Sequence, residues 1–375
     1  MISESLGFIF LIFTIATFLA IWFYREKTTR REKRKEDYIL GLKEIVTGDK
    51  QKAIKLLRKA AFQDTNNVDA YILLGDLLRE AGNLKKALQI HRSVTSRKVI
   101  STQNSSRALK SLALDYSSIG DHQKAADVLE KSRQLIDDNW TLKFLIQELE
   151  KLNNWEDAFQ LLKKLSIDSE RKNKHLAHYK VKMGDISAEK EEYHNARILF
   201  KDAIRLDKDC KEAYIRVGDA YYAEGRIDDG IDWWNKFSML FPEICHAVFK
   251  RMERAAYEKG DFGEMITFYS KFVREHPDNI AAKIALSRLF ERMGRLDDAI
   301  SILEDIEEKP LEVEIIYLDM ISRREKIDGK TREIIDNISN DRLNIIMFRC
   351  EECGYKSIEP LWHCPECGSW NSFGI

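Results

Sequence analysis

The last 26 residues of this 375-residue chain contain four of its six cysteines, spaced as Cys350-x2-Cys353-x10-Cys364-x2-Cys367. Two Cys-x-x-Cys pairs at this separation predict one tetrahedral metal site with four thiolate ligands. Thiolates in this arrangement bind zinc or redox-active iron, and the spacing does not choose between these metals. A pair of disulfides and four free core cysteines are the alternatives, and the glycine after each pair argues against both.

The predicted metal knuckle is too short to build a core of its own. A bound ion can contribute roughly 10 kcal/mol of folding free energy to such a segment. Gly354 and Gly368 follow the two pairs, and a glycine there lets the backbone turn so that amides face the sulfurs. Four aromatic residues are predicted to shield the thiolates and to dock the knuckle on the preceding helices: Tyr355, Trp362, Trp370 and Phe373.

Outside these cysteines the chain contains no catalytic motif. It has no HExxH, GxxxxGK[ST] or GxSxG sequence, and no GxGxxG between a strand and a helix, so we predict no enzyme activity. His175 and His178 share a helix face, and a solvated pair is the favoured interpretation. His363 is an alternative ligand beside Cys364, although four thiolates already complete a tetrahedron. A hydrolase hidden in the groove has no motif to support it.

Four further residues are interpreted as structural. Trp233 and Trp234 follow each other on a predicted helix, where we expect core packing and part of a groove wall. Cys210 and Cys245 lie singly in helical patterns and are expected to be small core residues in a reducing compartment. Acidic and basic side chains nearly cancel, 62 against 61, so the overall charge does not favour a nucleic-acid partner.

The N-terminal segment Leu6–Tyr24 has no charged residue over 19 positions, which is enough to span a bilayer as a helix. Seven basic residues follow between Arg25 and Lys35, whereas residues 1–5 contain no lysine or arginine. The positive-inside rule therefore predicts a single-pass membrane protein whose N-terminus lies outside the cell membrane and whose bulk is cytoplasmic. A cleaved signal peptide would need a basic start and a small-x-small exit, which are both missing.

Between this span and the cysteines, one pattern recurs at intervals of 33 to 38 residues. A turn residue separates two amphipathic stretches at Gly48, Gly82, Gly120, Asn153, Glu191, Gly225, Gly260 and Gly294. Seven positions earlier there is usually a small residue: Gly41, Gly75, Ala113, Gly184 or Gly218. Five positions later there is often an alanine: Ala53, Ala87, Ala125, Ala158, Ala196 or Ala299. This is the pattern of tetratricopeptide repeats, in which small residues let two helices approach closely.

The repeats predict an all-α fold, a tetratricopeptide-repeat superhelix with a concave groove, rather than an irregular helical bundle. Eight units start near Arg34, Val68, Ser106, Asn139, Ala177, Lys211, His246 and Ile280, and two longer connections are expected to be loops near Ser96–Ser105 and Asp168–Asn173. The predicted limits are 1–5 for the N-terminus outside the membrane, 6–24 for the transmembrane helix, 25–36 for a basic juxtamembrane segment, 37–310 for the eight repeats, 311–345 for a degenerate ninth repeat and 346–375 for the knuckle.

Taken together, the span, the basic junction, the repeats and the C-terminal cysteines form a rare combination. The tail FRCEECGYKSIEPLWHCPECGSWNSF, especially Trp362-His363-Cys364-Pro365, resembles the signature of the bacterial lipopolysaccharide assembly protein B family. The resemblance covers essentially the whole chain. It implies a single-pass inner-membrane regulator of lipopolysaccharide synthesis, with residues 1–5 in the periplasm and the bulk of the chain in the cytoplasm. It also implies Cys350, Cys353, Cys364 and Cys367 as ligands of one metal ion, iron or zinc.

The same resemblance implies partners. Family members work with the membrane protease FtsH to promote degradation of the deacetylase LpxC, and they contact other lipopolysaccharide assembly and sensing proteins. The favoured function is therefore a non-enzymatic adaptor that holds a client beside a membrane protease. Two alternatives stay open: a membrane-anchored rubredoxin-like electron-transfer protein, and a general scaffold without a proteolytic role. The oligomeric state, including a homo-oligomer, is also left open.

Overall fold

A computed structural model describes residues 17–25, 36–97, 100–325, 329, 331–333, 335, 348–357, 361–367, 369 and 373–374. Within these ranges the protein is almost entirely helical, with one small sheet near the C-terminus. The chain divides into two compact units, Met1–Ile167 and Asp168–Ile375, and each is described by itself.

In the first unit, residues 17–25 are helical and residues 36–47 form helix α1. The helices that follow are α2 (Lys50–Gln63), α3 (Val68–Glu80), α4 (Leu84–Thr95), α5 (Thr102–Ser118), α6 (His122–Leu135), α7 (Asn139–Lys151) and α8 (Trp155–Lys164). They pack as successive helix pairs, α1 with α2 through α7 with α8.

The second unit continues the pairs and then adds the knuckle. Its helices are α9 (Ser169–Glu189), α10 (Tyr193–Leu206), α11 (Lys211–Ala223), α12 (Ile227–Leu240), a 3₁₀ helix (Pro242–Ala247), α13 (Phe249–Lys259), α14 (Phe262–Glu275), α15 (Ile280–Arg292), α16 (Leu296–Glu304) and α17 (Leu311–Arg324). Three short strands follow: β1 (Phe348–Cys350), β2 (Lys356–Ser357) and β3 (Phe373–Gly374).

The turn inside each helix pair has a left-handed backbone. A positive φ occurs at all eight predicted turn residues, which confirms the repeat pattern: Gly48, Gly82, Gly120, Asn153, Glu191, Gly225, Gly260 and Gly294. Glycine adopts this conformation without a steric cost, whereas Asn153 (φ 55°) and Glu191 (φ 62°) adopt it against the preference of a residue with a Cβ.

Small residues set the distance between the two helices of a pair. A Cβ added to Gly75 would lie 2.3 Å from the His91 ring, and one added to Gly218 would lie 2.4 Å from the Trp234 indole. The alanines of the second helices are 0% exposed: Ala53, Ala87, Ala125, Ala158, Ala196 and Ala299. The predicted close approach of the paired helices is therefore confirmed, because each knob on the second helix fills the space that a missing side chain leaves.

The cores of the two units differ in composition. The first unit buries small and aliphatic side chains such as Ala60 and Leu57, and it adds a buried polar contact of 2.6 Å between His91 Nδ1 and Asp115 Oδ2. The second unit has a larger core with fully buried aromatic rings, including Trp234 and Tyr269. Because aromatic side chains bury more area, the second unit offers the larger apolar platform for further packing.

Two predicted loops are wrong in part. The segment near Asp168–Asn173 begins helix α9, because the Asp168 side chain accepts a hydrogen bond from the Arg171 amide and caps the helix. Ser101 caps α5 in the same way through the Asn104 amide, so only the residues before it connect the helices. In the two longer repeats the additional residues therefore lengthen the first helix of the pair. Their polar side chains lie on the exposed side of the helix, which is why the sequence resembled a loop.

Only part of the predicted transmembrane helix falls on residues that the structure describes. Residues 6–16 lie outside them, and residues 17–25 are helical and exposed. Among the described residues, no helix combines the length and the apolar character needed to cross a bilayer. The predicted ninth unit is represented by α17, and most of the residues between 326 and 347 lie outside the description.

Candidate metal centre

The knuckle is built on an antiparallel sheet with strand order β2-β1-β3. Strand β1 ends at Cys350, which pairs with Phe373 on β3, and Phe348 pairs with Ser357 on β2. The Cys350 amide donates to the Tyr355 carbonyl at 2.8 Å, and the Cys364 amide donates to the Ser369 carbonyl at 2.8 Å. Each Cys-x-x-Cys pair therefore lies in a tight turn that brings its two sulfurs to one side.

The four predicted ligands lie close together. Their sulfur atoms all lie within 4.8 Å of one another, with Cys350 Sγ 3.7 Å from Cys367 Sγ and Cys353 Sγ 3.6 Å from Cys364 Sγ. A tetrahedral metal with metal–sulfur bonds of about 2.3 Å places its ligand sulfurs about 3.8 Å apart. The donor set therefore fits one tetrahedral ion.

The alternatives to a metal site agree less well with this geometry. All six cysteines are free thiols, so a disulfide pair is absent from the structure. Cys350 and Cys364 are buried, whereas Cys353 and Cys367 are exposed, which is unlike four core cysteines. Each pair thus contributes one inner and one outer sulfur. His363 is not in the cluster of four, so its predicted role as an alternative ligand has no support here.

Polar groups act on the two exposed sulfurs with different net results. Gly354 has a φ of 77°, and the next amide, that of Tyr355, donates to Cys353 Sγ and lowers the pKa of this thiol. Burial and the three neighbouring cysteines outweigh the amide and raise the pKa of Cys353 to about 12. The Ser369 hydroxyl donates to Cys367 Sγ at 2.9 Å, and this bond together with the Ser369 amide lowers the pKa of the Cys367 thiol. The sequence reasoning missed Ser369, although a hydroxyl two residues after the second pair was a usable signal. Gly368 and Trp370 lie outside the described residues.

The knuckle packs on the repeats of the second unit. The Phe348 ring stacks on the His246 ring with centroids 4.7 Å apart and planes inclined by 16°. Trp362 packs, partly buried, against the large core of the second unit. The expected docking on the preceding helices is thus observed. The contacts reach side chains about a hundred positions earlier. We call the surface formed by α9, α11, the 3₁₀ helix, α13 and α15 the inner face.

A cavity of about 740 Å³ lies between the knuckle and the inner face. Its knuckle side is formed by Phe348, Leu361, Trp362 and His363. Its other walls combine charged and apolar side chains of the inner face: Lys182, Glu212, Ile215, Arg216, His246, Ala247, Phe249, Lys250, Arg251, Glu253, Ala281, Ile284, Ala285, Arg288 and Arg292. The knuckle thus encloses part of the repeat surface instead of leaving it open.

Two histidines beneath the knuckle are held neutral. Burial lowers the pKa of His178 to about 3, and the nearby charges of His175, Lys182 and His363 act in the same direction. Burial alone lowers the pKa of His246 to about 4. The prediction of a solvated His175–His178 pair is therefore wrong for His178, which is 2% exposed because its face of α9 points into the packed side of the unit.

The remaining singled-out residues have structural positions. Cys210 and Cys245 are fully buried, and burial raises the pKa of each thiol to about 12, which confirms them as inert core residues. Trp234 is also in the core, where its Nε1 donates to Asp219 Oδ1 at 3.2 Å. Trp233 is half-buried beside Tyr214, with ring centroids 6.2 Å apart, and it does not line the cavity.

The fold and the cysteine cluster together define a tetratricopeptide-repeat protein with a C-terminal rubredoxin-type knuckle. The family described as rubredoxin metal binding domain matches residues 348–374, and the tetratricopeptide repeat family matches residues 40–94 and 181–237. Both assignments agree with the positions of the cysteines and the helix pairs.

The chain is similar over nearly its whole length to curated proteins named lipopolysaccharide assembly protein B. The protein from Escherichia coli K12 is 21% identical over 383 residues, which cover 98% of this chain and 97% of that protein. The Haemophilus influenzae protein is 20% identical, with 97% and 96% covered. A solved tetratricopeptide repeat protein from Parabacteroides merdae has 15% identity and a TM-score of 0.37, with 77% of this chain and 99% of that chain covered. The resemblance to the lipopolysaccharide assembly protein B family is therefore confirmed.

Proposed function

We propose that this protein is a non-enzymatic adaptor in lipopolysaccharide assembly, with the repeats as its partner-binding surface. The observation that carries the proposal is the similarity to lipopolysaccharide assembly protein B over 98% of this chain. The structure supports it, because successive helix pairs present side chains from many units on one face. Among the described residues we identify no cluster of nucleophile, base and orienting group that resembles a catalytic site.

Cys350, Cys353, Cys364 and Cys367 would hold one tetrahedral ion, zinc or iron. When bound, the ion cross-links the two turns of the knuckle and so stabilises a segment that has almost no core. Residues of the chain itself stabilise the thiolates and hold the knuckle in place. Ser369 and the Tyr355 amide stabilise the thiolates, while Phe348 and Trp362 hold the knuckle on the inner face.

A membrane anchor completes the proposal. The uncharged segment Leu6–Tyr24 would cross the inner membrane, with the repeats on the cytoplasmic side. An anchored adaptor meets a membrane-bound partner at a high effective concentration without any additional contact. Deleting residues 1–24 should therefore leave the repeats folded and impair regulation in cells. A truncated chain that regulates as well as the full chain would argue against the anchor.

The finer form of the proposal follows the family resemblance. The adaptor would present LpxC to the FtsH protease, which would supply the peptide-bond cleavage; the sequence itself contains neither an HExxH nor a GxSxG motif. Depletion of the protein should lengthen the half-life of LpxC and raise lipopolysaccharide, and overexpression should lower both.

The decisive test is a pulse-chase measurement of LpxC in depleted and normal cells, with FtsH active or inactivated. The proposal expects a difference only when FtsH is active. An unchanged LpxC half-life would contradict the proteolytic role and would favour a scaffold for other lipopolysaccharide assembly proteins.

A further inference from the structure

The inner face carries a ladder of alternating charges that joins three successive first helices. Asp185 lies between Lys182 and Arg216, with nitrogen–oxygen distances of 3.7 Å and 3.2 Å. Asp219 lies between Arg216 and Arg251, at 3.9 Å and 2.8 Å. Each cation of this ladder lies nine positions before the turn residue of its pair, and each aspartate lies six positions before it. These cations are therefore neutralised within the fold.

The series of alternating charges ends at the helix pairs that have no aspartate in this position. In the next two pairs the positions equivalent to Asp185 and Asp219 are Arg254 and Arg288. Arg254 is mostly exposed and pairs with Glu258 at 3.3 Å on its own helix. Arg288 is half-buried in the cavity wall, and no carboxylate of the described residues lies within 4.0 Å of its guanidinium. A half-buried cation without a counter-charge is costly unless a ligand supplies one.

The rest of the cavity wall adds one more uncompensated charge and apolar area. Lys250 lines the cavity and also has no ion pair with the described carboxylates, whereas Arg292 pairs with Glu253 at 3.0 Å. Ile284 and Trp362 supply apolar surface between these groups. The wall therefore matches a ligand that carries negative charge and apolar side chains together.

We propose that this cavity binds an acidic, partly apolar peptide segment of a partner protein, with a carboxylate seated on Arg288. A guanidinium accepts a carboxylate through two parallel hydrogen bonds. The volume of about 740 Å³ lies in the range of specific ligand sites. A guanidinium binds phosphate in the same way, and the apolar side chains Ile284 and Trp362 in the wall favour a peptide over a free phosphate ion. The inference rests on the adaptor function and deepens it by giving the chemistry of the client segment.

The test is fluorescence anisotropy with the full chain purified in detergent. The probe is a labelled peptide rich in glutamate and leucine, and its control is the same peptide with glutamine for every glutamate. We expect the acidic peptide to bind at least about ten-fold more tightly, because hydrogen bonds to charged groups are strong. Arg288→Gln should remove this preference, and Lys250→Gln should reduce it about three-fold. Arg254→Gln is the matched control, because it changes the equivalent position outside the cavity, and it should keep the full preference.

A charge swap makes the assignment sharper. Arg288→Glu should bind the acidic peptide still more weakly and should gain affinity for a peptide rich in lysine and leucine. Circular dichroism verifies that each variant is folded. Equal binding of the acidic and neutral peptides by the unmodified chain would overturn the inference, as would equal losses in Arg254→Gln and Arg288→Gln. Displacement of the peptide by millimolar inorganic phosphate would overturn it in favour of a small-anion site. If the acidic peptide fails while LpxC turnover still depends on the protein, only this inference falls.

Discussion

The repeats of the second unit and the knuckle packed on them are stabilised in different ways. The repeats share a large core, in which the same contact between a small residue and a knob recurs from pair to pair. The core of the knuckle consists of Phe348, Cys350, Cys364 and Phe373, with Leu361 packed against them. Many similar contacts therefore stabilise the repeat array, whereas the stability of the knuckle depends on its four sulfurs and on the surface where it docks.

The largest expected effect is the loss of the metal. A Cys350→Ser, Cys353→Ser double variant should lose the bound ion and unfold residues 348–374, because the ion contributes on the order of 10 kcal/mol to such a segment. The helical signal of the repeats should remain. Elemental analysis of the purified protein measures the metal, and far-ultraviolet circular dichroism measures the helix content.

A buried thiol outside the knuckle provides the control for this experiment. Cys210→Ala removes a fully buried cysteine from the repeats and should retain one equivalent of metal. A double variant that also retains one equivalent would refute the ligand assignment. Loss of most helical signal in the double variant would contradict the independence of the repeats.

The second prediction concerns the spacing within a repeat. Gly218→Ala should lower the stability by about 1–3 kcal/mol, because its Cβ would lie 2.4 Å from the Trp234 ring. In an ordinary helix the same substitution is stabilising. Gly263→Ala is the control, since its Cβ would meet only a carboxylate oxygen of Asp261 at 3.2 Å. Urea unfolding followed by circular dichroism tests this, and a stabilised Gly218→Ala variant would contradict the close approach of the helices.

The third prediction is that acid destabilises the second unit through the buried His178. The folded pKa of His178, about 3, is below its unfolded value of about 6.5, so the unfolded state binds the proton more tightly. The contribution of this histidine is fully present above pH 6.5 and is lost progressively as the pH falls toward 3. Between pH 7.5 and 5.5 it should cost about 1.4 kcal/mol. The urea midpoint of His178→Gln should depend less on pH than that of the unmodified chain, and parallel slopes would contradict the role of His178.

The smallest expected effect is an increase in the stability of the second unit. Glu191→Gly should stabilise the second unit by about 1 kcal/mol, because Glu191 occupies a left-handed conformation that glycine adopts freely. Lys190→Gly, in the preceding position with a φ of −89°, should instead be destabilising, because glycine loses more conformational freedom on folding. Thermal unfolding of both variants measures the difference. A lower melting temperature for Glu191→Gly would show that its side chain contributes more than its backbone strain costs.

Much of the repeat architecture could be predicted because each unit repeats local rules. The turn positions Asn153 and Glu191 were identified from spacing alone, although neither is a glycine. The beginning of α9 was not identified, because the polar residues after Asp168 resemble a loop. Only the hydrogen bond from the Arg171 amide to the Asp168 side chain shows that a helix begins there. Boundaries depend on single hydrogen bonds, whereas the repeat period depends on many residues.

The candidate site also has one part that the sequence predicted and one part that it did not. The cluster of four cysteines could be predicted from spacing, since the turns that bring the sulfurs together are local. The place of the knuckle could not, because the Phe348–His246 stack joins residues that are far apart in the chain. The ladder on the inner face and its end at Arg288 also required the helices to be placed side by side. No local pattern marks a contact between two distant surfaces.

The most direct test of the account is hydrogen–deuterium exchange on the full chain and on the Cys350→Ser, Cys353→Ser variant. The variant should lose protection in residues 348–374 and should gain exchange on the inner face, at His246–Glu253 and the adjoining part of α15. The second helices α10 and α12 should keep their protection, because the shared core still holds them. Unchanged exchange at His246–Glu253 would contradict the docking of the knuckle on the repeats, and general deprotection of α10 and α12 would contradict the independence of the repeat core.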